Sequence, residues 1–209
     1  MPTLLDLMYQ KRIFLMLVFA NLFIQLSISY YVMIHTKKSP IGHWYLFGIQ
    51  LILIIVLASA PIPSFAKFIL FSIFSYTFGL SLVEYKEIVD ERAIEIAVKG
   101  ALSLFGLMMG VGIALILGGI RLGQRFGSFL FWSLLLLIIL RIIAIVGDGL
   151  SMLHKVLTFV GIILFSMYIV YDTQQILSRN YAGDFITASM AYYLDIINLF
   201  VNLLGSNDE

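Results

Sequence analysis

The stretch MYIVYDTQQIL (residues 167–177) and its companion MAYYLDIINLF (residues 190–200) each set one aspartate, Asp172 and Asp195, in an otherwise apolar run. An aspartate at mid-bilayer costs roughly 2.5–3.5 kcal/mol on insertion scales, so such residues are rare, face a bundle interior or water, and mark function. If the two runs form consecutive helices of a hairpin, residues equidistant from its tip lie at one depth. The midpoint between Asp172 and Asp195 falls between Gly183 and Asp184, within the polar stretch Ser178 to Asp184. The spacing therefore predicts a carboxylate pair.

Working outward, the chain of 209 residues is 61% hydrophobic and 12% charged, with a mean hydropathy of +1.03. Soluble domains carry about 25% charged residues, so the composition describes a single integral membrane domain over residues 1–209. There are no cysteines, which excludes disulfides, thiolate metal sites and cysteine nucleophiles. The net charge is +1 with scattered basic residues, and nucleic-acid binding has no electrostatic footprint. The first apolar run, from Ile13, is too long for a signal-peptide core and is read as a mature transmembrane helix.

A helix needs about 20 apolar residues to cross the hydrocarbon core. On that measure seven spans are expected: 13–34, 44–60, 65–83, 100–120, 126–146, 155–177 and 185–204. The second closes at the breaker Pro61-Ile-Pro63, and the polar tail GSNDE follows the seventh. Seven spans divide the loop cations evenly: Lys11, Arg12, Lys67, Arg121, Arg125 and Arg179 against Lys37, Lys38, Lys86, Arg92, Lys99 and Lys155. The positive-inside count is thus a tie. A cytosolic N-terminus is preferred because three of the opposing cations are embedded among Glu84, Glu87, Asp90, Glu91 and Glu95.

That acidic segment pairs Glu87 with Glu91 repulsively and Glu95 with Lys99 attractively at i,i+4. It reads as a solvated helical extension of a neighbouring span, with an acidic vestibule for cations as the sharper alternative. Gly106 and Gly110 form GxxxG, followed by Gly112, and are expected to permit close helix packing inside the monomer.

Polar residues continue the aspartate theme. Tyr192, Asp195, Asn198 and Asn202 share one face of the last helix, and Tyr168, Asp172, Gln175 and Arg179 recur along the sixth span. Two such stripes predict a hydrogen-bonded or wet seam and a last helix buried among the others. Two carboxylates in hydrogen-bonding reach cannot both ionise cheaply, so they titrate as a unit around one shared proton. Protonated, the pair ties two helices together; doubly ionised, it repels and can coordinate a hard cation such as Ca²⁺. The alternative is a permanently protonated pair acting only as interhelical glue, worth about 1–2 kcal/mol. Arg141, near the end of its span, is expected to snorkel to the interface. His35, His43 and His154 sit at span ends without metal-ligand spacing, and Val146-Gly-Asp148-Gly reads as a turn.

The segments YDTQQILSRN (171–180) and AYYLDIINLFVNLL (191–204) resemble the C-terminal signature of the transmembrane Bax inhibitor motif family, nearest its Lifeguard and Golgi anti-apoptotic branch. KRIFLMLVFANLFIQL (11–26) is similar to that family's first helix, and Arg125-Phe-Gly127 to the approach of its fifth. The resemblance implies six helices around a central last helix, and a passive Ca²⁺ leak regulated by pH through a hydrogen-bonded aspartate pair. Those aspartates fall on Asp172 and Asp195, the same two residues read above as candidate Ca²⁺ ligands. Some members carry a basic latch residue at the end of the second helix, where this chain has Pro61-Ile-Pro63 and no nearby charge before Lys67. Some carry a mid-helix acid in the second span, where this chain has Gln50.

The expected function is thus a pH-sensitive Ca²⁺ leak channel: no enzyme, no cofactor beyond Ca²⁺ as transported ion, a monomer in lipid. A bacterial plasma membrane and a eukaryotic endomembrane both remain open. The competing reading is a non-conducting regulator that binds a membrane protease or cell-death partner. An intramembrane aspartyl protease is disfavoured because the second aspartate lies in YYLDII rather than GxGD and no PAL follows. A retinal pigment fails because the last helix has no lysine.

Overall fold

The computed structural model describes residues 4–59, 61–146 and 151–206. Among them the regular elements are eight α-helices: α1 (Leu4–Gln10), α2 (Arg12–His35), α3 (His43–Ser59), α4 (Ser64–Ile88), α5 (Glu91–Leu117), α6 (Gln124–Val146), α7 (Ser151–Ser178) and α8 (Phe185–Gly205). Ala60, the Gly147-Asp148-Gly149 segment read above as a turn, and the end of the polar tail lie outside the described residues, as do the side chains of Glu84 and Glu87.

Six of these helices, α2 and α4 to α8, are long and apolar enough to cross a membrane. The remaining expected span, α3, is apolar over 17 residues, about 26 Å against a hydrocarbon core of about 30 Å. The charged segment after the third span is helical on both sides of a break at Val89 and Asp90. It lengthens α4 to Ile88 and starts α5 at Glu91 rather than at Gly100. The Glu95–Lys99 pair forms within α5, at 2.5 Å between exposed side chains. Of the six long helices, α8 has the largest buried share of its apolar window, 67%.

The chain divides into two compact units. Unit 1 is Met1–Tyr9, Arg92–Arg179 and Leu194–Glu209; unit 2 is Gln10–Glu91 and Asn180–Tyr193. Helix α8 therefore begins in unit 2 and ends in unit 1.

In unit 2, α4 packs against α2 and α3. Gly79 makes the first contact possible, since a Cβ there would stand 2.6 Å from the Ser29 carbonyl oxygen and 2.8 Å from Val32 Cβ. Val32, Leu46 and Leu80 form a buried cluster at the junction of the three helices. Gln50 ties α3 to α4, its amide donating to Thr77 O at 3.1 Å and Ser81 Oγ at 2.8 Å. Lys86, in the last turn of α4, donates to Ile34 O near the C-terminus of α2, where the helix dipole favours a cation.

Between α2, α4 and the start of α8 runs a polar ladder. Asn21, Gln25 and Ser29 recur every fourth residue of α2 and are all buried. Asn21 donates to Ser189 Oγ at 2.6 Å, Gln25 to Asn21 Oδ1 and Ser72 Oγ at 3.2 Å each, and Ser29 to Ser75 O at 2.8 Å. The Tyr193 hydroxyl meets Ser29 Oγ at 2.5 Å, while its ring is caged edge-on by Phe71, Phe74 and Phe78.

In unit 1, α6 packs on α7, and Gly112 lets α5 approach α7. A Cβ at Gly112 would lie 2.9 Å from Val170 O and 3.0 Å from Thr173 Cβ. The expectation for GxxxG is corrected here: Gly106 and Gly110 face open space, and Gly112 alone of the three is in close contact. Gly106 and Gly110 share a face with exposed Leu102 and Leu107, while Gly112 lies on the packed side. Helix α5 ends in a Schellman turn, with Ile120 N–H on Leu115 O, Gly119 N–H on Ile116 O and Gly119 at φ 78°, the left-handed position glycine fills without strain.

Candidate functional site

The site is built on α7 and the second half of α8, both within unit 1. Two contacts fix how α7 is rotated. The Tyr171 side chain lies against Gly127 of α6, where no Cβ intervenes, and Thr173 packs against Gly112 of α5. Residues one apart on a helix differ by about 100° in direction. Asp172 is therefore aimed between α5 and α6, and there its carboxyl is hydrogen-bonded to that of Asp195. Asp195 is 4% exposed, and its Oδ2 has no hydrogen-bond partner among the described residues. Buried carboxylate oxygens are rarely left so, and each such atom calls for an explanation. Tyr168, one turn before Asp172, is in electrostatic contact with both carboxyls.

Asn198 and Asn202 continue the α8 face away from the pair. Asn198 donates to Leu194 O at 2.7 Å and Asn202 to Asn198 O at 2.6 Å. The Asn202 carbonyl oxygen accepts a hydrogen bond from Arg141 Nη2 of α6. Arg141 is thus not simply drawn out to the interface, as its place near a span end suggested, but turned inward onto the last helix.

Two residues of the expected seam do other work. Gln175 reaches the α5–α6 loop, its amide 3.4 Å from Leu122 O. Its neighbour Gln174 clamps the same loop, accepting from Leu122 N–H at 2.8 Å and donating to Ile120 O at 3.3 Å. Tyr192 is buried in unit 2 and stacks on Phe19 with centroids 6.0 Å apart. The site therefore gathers Asp172, Asp195 and Tyr168, with Asn198 and Asn202 further along the same helix.

At the tip before α8, Ala182 and Gly183 both take positive φ, 50° and 84°, and Asp184 caps the helix. Its Oδ1 accepts from Thr187 N–H at 3.0 Å, and its Oδ2 from Thr187 Oγ1 at 2.8 Å and from Lys67 Nζ at 2.5 Å. Burial alone pushes the Asp184 carboxyl up, but the hydrogen bonds from Lys67 and Thr187 outweigh it and hold the group below its ordinary value. Lys67, the first cation after Pro61-Ile-Pro63, is engaged here and with Thr187 Oγ1 at 3.2 Å. Among the described residues no three His, Asp or Glu side chains converge to hold a metal ion. The pair offers a cation two carboxyl groups, where Ca²⁺ takes six to eight oxygens.

Helices of this length and apolarity around a buried carboxylate pair describe a multi-pass integral membrane protein with an ionisable interior. The chain belongs to the Bax inhibitor and Lifeguard family: the family described as Inhibitor of apoptosis-promoting Bax1 matches residues 8–206. Among its relatives, Protein LIFEGUARD 1 of Arabidopsis thaliana is 29% identical over 141 residues, 66% of this chain and 58% of that protein. An uncharacterised protein of Helicobacter pylori is 31% identical over 68% of this chain and 60% of its own length. Bax inhibitor 1 of Schizosaccharomyces pombe is 36% identical over 81 residues, 39% of this chain and 30% of that protein. The matches span less than two thirds of the length of these relatives.

Proposed function

We propose that the chain is a pH-sensitive passive Ca²⁺ leak whose gate is the Asp172–Asp195 pair. In this reading it is a monomer without enzymatic activity, its N-terminus is cytosolic, and six helices surround α8. The observation that carries it is the hydrogen-bonded contact of two carboxyls inside membrane helices, with Asp195 Oδ2 left without a partner among the described residues. One proton shared between the two groups makes an O–H···O tie between α7 and α8. Loss of that proton replaces the tie with like-charge repulsion and presents carboxylate oxygens to a cation. Two carboxylates, a nearby Tyr168 hydroxyl and water form a weak site, which suits an ion that must leave as readily as it enters. The high burial share of α8 supports its place at the centre of the bundle. The even division of loop cations makes the cytosolic N-terminus the lesser part of the reading.

The family's basic latch has no counterpart before Lys67, and Lys67 is bonded to Asp184 and Thr187. The pair therefore gates by its own shared proton rather than through a neighbouring cation. Protein reconstituted in liposomes passes Ca²⁺ faster than protein-free liposomes at some pH between about 5 and 8, where folded proteins are most stable. Equal flux across that whole range sinks the proposal.

A further inference from the structure

We propose that the buried polar ladder of unit 2 is an enclosed hydration site, in which one water molecule bridges Gln25 of α2 and Ser75 of α4. The direction of its hydrogen bonds leads there. The hydroxyl protons of Ser189 and Ser72 are spent on their own helices, on Ile186 O and Phe68 O at 2.9 Å each. Both hydroxyl oxygens are therefore acceptors. Asn21 gives its nitrogen to Ser189 Oγ and so turns its oxygen to Gln25. Gln25 must then present nitrogen to Asn21 Oδ1 and to Ser72 Oγ, which directs its Oε1 away from both. That oxygen has no hydrogen-bond partner among the described residues, and Gln25 is 0% exposed. One turn further along, Ser29 spends its proton on a backbone oxygen, Ser75 O at 2.8 Å or Gln25 O at 3.3 Å. The Tyr193 hydroxyl therefore donates to Ser29 Oγ. Ser75 Oγ lies beside the Tyr193 hydroxyl but is aligned for no hydrogen bond, and it too is fully buried.

The amide oxygen needs a donor, and the Ser75 hydroxyl needs a partner of either kind. Gln25 is bonded at the level of Ser72, and Ser75 stands three residues beyond it, about 4.5 Å along α4. One water spans such a gap with hydrogen bonds of about 2.8 Å on each side. Water both donates and accepts, and polar surroundings of this kind are what a buried water requires. A cation fits poorly, since no ladder side chain is a carboxylate and Ca²⁺ takes six to eight oxygens. The site is closed at both ends of its α2 face. Val18 lies three residues before Asn21 and Val32 three after Ser29, on the same face, and both are buried. The water therefore exchanges slowly with bulk solvent.

Hydroxyl-radical footprinting of the full chain in detergent tests this, because water activated by an X-ray pulse labels the side chains it touches. Phe71 and Tyr193, buried and in ring contact beside the ladder, should be labelled despite their burial. After rapid mixing into water enriched in the heavy oxygen isotope, their label should still carry the original isotope. Ser75→Val sets methyl groups where the water binds and should reduce the labelling severalfold. No label on either residue, labelling unchanged by Ser75→Val, or label that takes the bulk isotope at once overturns the inference. Should Ser75→Val fail to fold, a high-resolution map of the wild-type protein decides. Density for a water about 2.7–3.2 Å from Gln25 Oε1 supports the site, and none there contradicts it. Neither readout needs ion flux, so either outcome leaves the leak reading to its own test.

Discussion

Asp184 and Asp195 belong to the same helix, one at its N-cap and one within it, and their surroundings give them opposite tasks. Asp184 is satisfied at both oxygens by Thr187 and Lys67, whereas Asp195 keeps one oxygen without a hydrogen-bond partner among the described residues. Asp184 is therefore a structural carboxylate. Its replacement by Ala should cost about 1 kcal/mol of stability, as loss of an N-cap does, seen as a lower Tm in detergent. Because the folded-state carboxyl is held below its ordinary value of 3.8, its stabilising share is complete above that value. It is lost as pH falls through the lower folded value. The Tm difference between wild type and Asp184→Asn should thus persist at neutral pH and vanish once the pH falls below that lowered folded value; a difference that grew on acidification would contradict this assignment. In unit 2, Tyr193→Phe removes one of the partners of Ser29 Oγ inside a buried ladder. It should lower stability by about 1 kcal/mol, measurable as a shift in thermal unfolding.

At the scale of elements, the placement of glycines decides which helix faces meet. Gly79→Ala sets a methyl 2.6 Å from a backbone oxygen of α2, which cannot rotate away, so it should destabilise by about 1–3 kcal/mol. Gly106→Ala meets nothing within 4 Å and should be neutral or stabilising by up to about 1 kcal/mol through helix propensity. Thermal unfolding of the two variants in one detergent compares them directly. This contrast was not legible in GxxxG alone, because glycine spacing fixes which residues share a face but not whether a neighbour lies against it. The helices themselves were legible, since hydropathy and breakers such as Pro61 and Pro63 act locally. The start of α5 was legible as well: Glu91 to Lys99 are rich in charge, yet their i,i+4 spacing marked them as a helical extension of a neighbouring span, which they are. The α2 ladder left a readable signal, with Asn21, Gln25 and Ser29 every fourth residue of an apolar helix. Its partners Ser189 and Tyr193 are far away in sequence and only the fold joins them.

For the whole molecule, the carboxylate pair was readable because hairpin geometry turns equal distance from Gly183 and Asp184 into equal depth. The attachment of Arg141 to Asn202 was not, since an arginine near a span end can equally extend to the headgroups, and Gly161 decides the matter by making room for the amide. Membership of the Bax inhibitor and Lifeguard family and the buried pair converge on one question: whether proton occupancy at Asp172 and Asp195 controls passage of Ca²⁺. The most direct test is Ca²⁺ flux in proteoliposomes across about pH 5–8, where folded proteins are most stable, for wild type and Asp195→Asn. The account predicts a wild-type rate that changes with pH and a variant rate that does not. A variant whose pH profile overlays that of the wild type would contradict it.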